Sequence, residues 1–142
     1  MKLLYRLLIN FSLVACLATP GVAEEQSLES YAALAAAEHF LVLLDKGEYN
    51  QCWENASELF RTSSVKLQWE ERIGHLRDQF GKLNHRQLRY SKTIQDAEGA
   101  PEGDYFFLIY GSSFAAKDSA IETITVMKEL DGRWRVSGYS LK

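Results

Sequence analysis

Glu122 is the acid whose setting invites chemistry. It alternates along one strand face with Ile124 and Val126, so the pattern aims its carboxylate at an apolar interior. A carboxylate there needs a partner or a raised pKa. Arg86 or Arg135 would supply the charge, and Tyr90 or Tyr139 a hydrogen bond. The functional uses are a polar anchor inside a pocket or a general base. The plainer uses are an internal salt bridge or the solvent face of the sheet. Buried ion pairs perturb ionisation without doing chemistry, which makes the plainer reading the leading one.

The aromatic residues Trp53, Trp69, Trp134, Tyr49, Tyr105 and Tyr139 would line such a pocket or simply fill a core, the usual reason for them at helix and strand spacing. The candidate pocket is therefore Glu122, Arg86, Tyr139, Trp53 and Tyr105. His39, His75 and His85 never pair at i, i+4 with one another or with a Cys. Zinc takes three or four converging ligands, so no metal site is assigned. His39 sits beside an apolar stripe and is expected to be partly buried. Cys52 has no nearby His or cation to lower its pKa and reads as a small buried hydrophobe. No G-x-S-x-G and no Gly-rich phosphate loop occurs. No catalytic residue and no cofactor is assigned.

The elements that must position these residues fall into two halves. The first half has helical spacing. A long helix is expected from about Leu28 to Lys46, with Ala33, Ala37, Phe40, Leu41 and Leu44 on one stripe and Gly47 just past its end. Residues 24 to 30 read as a frayed polar lead. A second helix is expected over Tyr49 to Leu59, and a third over Val65 to Phe80, capped by Ser63 or Ser64. The third carries Val65, Trp69, Ile73, Leu76 and Phe80 inward, and Glu70, Glu71, Arg72, Arg77 and Asp78 outward. The second half has strand spacing: Arg86 to Ile94, Asp104 to Ala115, Ser119 to Leu130 and Arg133 to Leu141. Asp131-Gly132 reads as a two-residue hairpin turn. Helices followed by four strands with short connections predict an α+β fold, three helices packed on one face of a curved, mainly antiparallel sheet. The strand Tyr105 to Tyr110 is apolar on both faces, so its outer face is expected to meet another subunit.

The chain has 142 residues, 46% hydrophobic and 12% aromatic, which suits one globular domain and excludes a disordered chain. Met1 to Arg6 is a short basic start, Leu7 to Leu17 is apolar, and Gly21-Val22-Ala23 places small residues before Glu24. That is the pattern of a cleaved secretory signal over residues 1–23, followed by a single domain over 24–142. The apolar run is shorter than the roughly 20 residues of a membrane span. Leu13-Val14-Ala15-Cys16 resembles a lipobox, which makes Cys16 a possible lipidation site and a lipid anchor the alternative to soluble export. A chain beginning at Glu24 carries 14 Lys and Arg against 19 Asp and Glu, a formal charge of −5. With no basic run, nucleic acid is not an expected partner, and a membrane is expected only through a lipidated Cys16.

Several stretches together resemble a bacterial family of exported proteins, domain of unknown function 4019. They include Leu44-Asp45-Lys46-Gly47-Glu48-Tyr49, Trp53, Ala56-Ser57, Gly81-Lys82-Leu83 and Arg86. They continue with Pro101-Glu102-Gly103-Asp104-Tyr105, Phe114-Ala115-Ala116-Lys117, Ala120-Ile121-Glu122-Thr123 and Asp131-Gly132-Arg133-Trp134-Arg135-Val136-Ser137-Gly138-Tyr139. The resemblance implies an arrangement similar to the nuclear transport factor 2-like cone, and it implies no activity. Many such cones have a strand between the second and third helices. Only Glu58-Leu59-Phe60-Arg61 could supply it here.

The expected function is that of an exported envelope protein, periplasmic or secreted. It is read first as a non-enzymatic module that binds itself, as a homodimer, or an envelope protein. The alternative is a binding protein that holds a small apolar ligand in the cone. An isomerase or hydrolase using a pocket acid comes third.

Overall fold

The computed structural model describes residues 20–142, with side chains from Glu25 onward. Residues 1–19, which hold the apolar run and Cys16, lie outside the described residues. The order is α1 (Pro20–Asp45), α2 (Tyr49–Asn55), α3 (Glu58–Thr62), α4 (Lys66–Phe80), β1 (Leu83–Gln95), β2 (Asp104–Phe114), β3 (Lys117–Lys128) and β4 (Trp134–Leu141). The strands form one open antiparallel sheet in chain order. This is the expected α+β class, with four helices in place of three.

Helix α1 reaches farther toward the N-terminus than the apolar spacing predicts, back to Pro20, where the described residues begin. Residues 24 to 30 are therefore helical, and the expected cleavage point after Ala23 falls within the helix. By length and composition Glu25–Asp45 could cross a membrane. Its Ala33, Ala37, Phe40, Leu41 and Leu44 are nevertheless buried against the rest of the protein, as in a core helix. The helix ends at Gly47, whose φ of 72° suits the left-handed turn closed by Glu48 N–H to Leu43 O.

The single helix expected over Tyr49 to Leu59 is broken in two. Ala56 is extended, and Ser57 caps α3 by accepting from the Phe60 N–H at 3.1 Å. The Ser57 N–H in turn donates to Val136 O at 2.9 Å, which ties the break to β4. Glu58 to Arg61, the stretch that could have supplied the additional strand of such cones, is thus helix. Ser63 and Ser64 do not cap α4. Val65 holds that position without a side-chain bond, and the Ser63 hydroxyl donates back to Phe60 O. Gly81 ends α4 at φ 75°, and a Cβ there would press on the Ala115 Cβ at 3.3 Å.

All four helices pack on one sheet face. Phe106, Leu108, Tyr110, Ser112 and Phe114 of β2, and Ala120, Glu122, Ile124 and Val126 of β3, are buried there. Phe40, Trp53, Phe60 and Trp69 cluster beneath the helices, with Phe60 edge-on to Trp69 at 5.3 Å. Each such buried ring contributes about 1.5–3 kcal/mol, so this cluster outweighs any single polar contact in holding helices to sheet. The register slips at Leu88–Tyr90 in β1 and at Ser137 in β4, and such bulges bend and twist a sheet.

The β3–β4 connection is wider than a two-residue turn. Gly132 N–H donates to Glu129 O and Glu129 N–H to Arg133 O, with Gly132 at φ 78°. That is a type I turn followed by a left-handed residue. Asp131 sets it by accepting from the Arg133 N–H and both Arg135 amino groups. These contacts, Arg135 first, hold the Asp131 carboxyl down at about 2 against its ordinary 3.8. A depressed carboxylate stabilises the folded state fully above its unfolded pKa and loses that contribution as pH falls. Asp131→Asn is expected to leave stability unaltered in acid and lower it modestly above about pH 4. The gap between the two chains should close between about pH 4 and 2, read from urea midpoints across that range.

Candidate functional site

Glu122 has no exposed surface, and six elements converge on its surroundings. From β1, Arg86 donates through Nε to Glu122 Oε2 and through Nη2 to Oε1 at 2.9 Å. From β2, Ser112 Oγ donates to Oε2 at 2.6 Å. From β4, the Tyr139 hydroxyl donates to Oε1 at 2.7 Å. From α4, Arg77 Nη1 reaches Oε1 at 3.5 Å. Asp45, the last residue of α1, closes the ring. It accepts from Arg77 Nη2 at 2.6 Å and from Arg86 Nη1 and Nη2 at 2.7 and 2.9 Å.

Two carboxylates thus face two guanidiniums, with no net charge. A carboxylate offers about four lone-pair sites, and Glu122 meets five donor contacts. The Arg77 guanidinium also lies 4.8 Å from the Phe114 ring centre, a favourable placement for a cation. Burial, and then the Glu122 charge, push the Tyr139 phenol well above its usual range. Burial opposes the charge of Arg86, but its bonds to Asp45 and Glu122 outweigh this and raise it further.

The chemistry open to such a cluster is narrow. A general base needs a free lone pair within reach of a substrate proton. Glu122 has its lone pairs occupied and no exposed surface at which to meet a substrate. The cluster meets water mainly at Asp45, which with Arg77, Lys46 and Lys82 borders an open hollow of about 380 Å³. Its effect is to cross-link α1, α4 and the sheet.

Of the residues the sequence nominated, Glu122, Arg86 and Tyr139 come together here. Trp53 belongs to the aromatic core, 5.9 Å from Trp69. Tyr105 lies on the opposite sheet face, beside Met127 and Ile94, with its hydroxyl on Pro101 O at 2.7 Å. Arg135, the alternative cation, pairs with Glu129 and Asp131, and Tyr90 is exposed. Asp45, Arg77 and Ser112 were not foreseen. Its residue type assigns Arg77 to the outer face of its helix, yet it is 7% exposed. Its spacing did carry the signal, since it stands four residues after Ile73 and three before Phe80. His39, expected half-buried, is exposed, as are His75 and His85. Cys52 is fully buried, and burial pushes its thiol up to about 12. No group of His, Cys, Asp or Glu among the described residues could hold a metal ion.

A family model described as Protein of unknown function (DUF4019) matches residues 36–139, a span that contains every residue of the cluster. No curated protein and no solved structure matches the chain. The cone-like arrangement therefore rests on the sequence resemblance alone.

Removing one partner of a buried ion pair typically costs about 3–5 kcal/mol, because the other is left uncompensated. Glu122→Gln is expected to cost in that range in urea unfolding. Tyr139→Phe, which removes one hydrogen bond to a charged group, is expected to cost about 1.5–3 kcal/mol. A functional acid held in a pocket would behave oppositely, with Glu122→Gln neutral or stabilising.

Proposed function

The chain belongs to the DUF4019 family, and we propose that it works as an exported, non-enzymatic interaction module that pairs through the sheet face its helices leave uncovered. The observation that carries this reading is the chemistry of that face. Outward on the two central strands lie Phe107, Ile109, Ile121, Thr123, Thr125 and Met127, none of them charged, beside Tyr105, which is 2% exposed. Phe107, Ile109 and Met127 are half-buried and Ile121 is 55% exposed, with Tyr90 beside them on β1. Lys92 of β1 and Arg135 of β4 flank this patch as the register partners of Phe107 and Met127. An exposed apolar patch with a polar rim is the usual make-up of an interaction surface. The saturated Glu122 adds support, because it offers no acid for catalysis in the interior.

Two measurements test the proposal. In sedimentation the exported chain should form a dimer at micromolar concentration. Ile109→Lys should make it monomeric, with unchanged far-ultraviolet circular dichroism. A wild-type chain that stays monomeric at millimolar concentration, with no envelope partner retained, would sink the reading. The mass of the envelope-purified protein tests export. A chain starting at Glu24 is expected, a lipidated Cys16 at the N-terminus would mean membrane tethering, and an uncut Met1 chain would refute export.

A further inference from the structure

The edge of β4 is only partly closed. Ile121 and Lys142 exchange both backbone bonds, at 2.9 and 3.0 Å. In an antiparallel pair such exchanges recur every second residue, so Thr123–Ser140 and Thr125–Gly138 are the next bonded pairs. Tyr139 and Leu141 fall between them. Their N–H and C=O groups therefore point away from β3, out of the sheet. Farther along, Val136 O is taken by the Ser57 N–H of α3. Past that bond a channel of about 420 Å³ opens between β4 and α4.

The channel has the make-up of a site for extended chain. Its floor is apolar, from Phe60, Trp69, Ile73 and Leu141. Ser64 Oγ lies on its wall, buried and without a hydrogen-bond partner. Arg72, one turn after Trp69 on the same side of α4, also borders it. Among the described residues Arg72 has no carboxylate in ion-pair reach, whereas Arg77, Arg86 and Arg135 each hold two. A lone cation beside an open backbone edge asks for a partner with both a free backbone and an acid.

We propose that the β4–α4 channel binds an extended acidic peptide, which joins the sheet as a fifth strand through Tyr139 and Leu141 and sets a carboxylate on Arg72. Backbone bonds of this kind supply affinity without sequence demand, and alternate side chains in the channel supply selectivity. This site lies at the sheet edge, apart from the apolar face argued for pairing.

The test is selection of phage-displayed random heptapeptides on the exported protein, with counter-selection on Arg72→Glu, an exposed position whose change leaves the fold intact. Enriched peptides should alternate apolar and polar residues around an Asp or Glu. Their binding should weaken at least tenfold on Arg72→Glu and recover when the peptide acid is replaced by Lys. Hydrogen exchange at the Tyr139 and Leu141 amides should slow at least tenfold on binding. Ile109→Lys should bind the peptides as the wild type does, which separates this site from the pairing face. Three results would overturn the proposal: no enrichment, enriched peptides indifferent to Arg72→Glu, or protection at Tyr139 that rises with protein concentration without peptide and so assigns the edge to a second copy.

Discussion

A carboxylate with no exposed surface sits near the middle of the sheet, and much of the molecule is arranged around it. Moving an ion out of water costs several kcal/mol, and attraction offsets this only when every remaining lone pair and proton is also met. Glu122 meets that condition with Arg86, Arg77, Ser112 and Tyr139. Its two guanidiniums then need a second acid, and Asp45 supplies it from the end of α1. The requirement spreads outward, so the end of α1, the last turns of α4 and all four strands are held in one relation. Apolar contacts such as Phe60 against Trp69 fix proximity but tolerate sliding. The bidentate contacts of Arg86 do not, because a shift of one residue would turn Glu122 to the outer face.

The same arrangement explains the asymmetry of the sheet. With α1 and α4 both anchored to the inner face through the cluster, all four helices lie on that side. The aromatic surface they bring is absorbed there, by Phe40, Trp53, Phe60 and Trp69. Among the described residues no helix covers the other side, although β2 is apolar on both; of its outward residues there only Tyr105 is buried, with its hydroxyl on Pro101 O. Phe107 and Ile109 are therefore left at the surface by the topology itself. β-branched Thr123 and Thr125 flank them on β3, residue types suited to a strand surface that meets another surface.

Strand alternation was legible in part. It placed Glu122 on one face with Ile124 and Val126, left open whether that face was interior or solvent, and offered Arg86 or Arg135 and Tyr90 or Tyr139 as partners; the bulges at Leu88–Tyr90 and Ser137 carried no signal in the spacing. The alternation also carried a warning about Tyr105, which alternates out of phase with Leu108 and Tyr110 and so could not share their side. The unread part was long-range. Arg77 and Asp45 are 32 residues apart and Arg86 and Asp45 are 41 apart, and no local spacing links them. A charged residue at a core position of a helix is easily assigned to the outer face by its type. The Arg77 position, between Ile73 and Phe80, argued the other way. The break at Ala56–Ser57 was hidden for a similar reason: Ser57 leaves the helix to bond Val136 O, 79 positions later in the chain.

With the interior acid saturated, both proposed roles rest on surfaces, and the two surfaces work by different physics. The outer face offers apolar area, non-directional and tolerant of partner sequence. The β4 edge offers backbone donors and acceptors, which are directional and demand an extended partner. Ser57 separates the covered part of that edge from the open part, because its N–H occupies Val136 O and brings α3 across. An occupant of the face presses on the side chains of β2 and β3, and an occupant of the edge lies in the plane of the sheet beyond β4. The two would not compete for space. They would still be coupled through β3 and β4, since Thr125 of the face is the register partner of Gly138, next to Tyr139. Tyr139 is also a donor to Glu122, so both surfaces connect to the one cluster that sets the position of the helices.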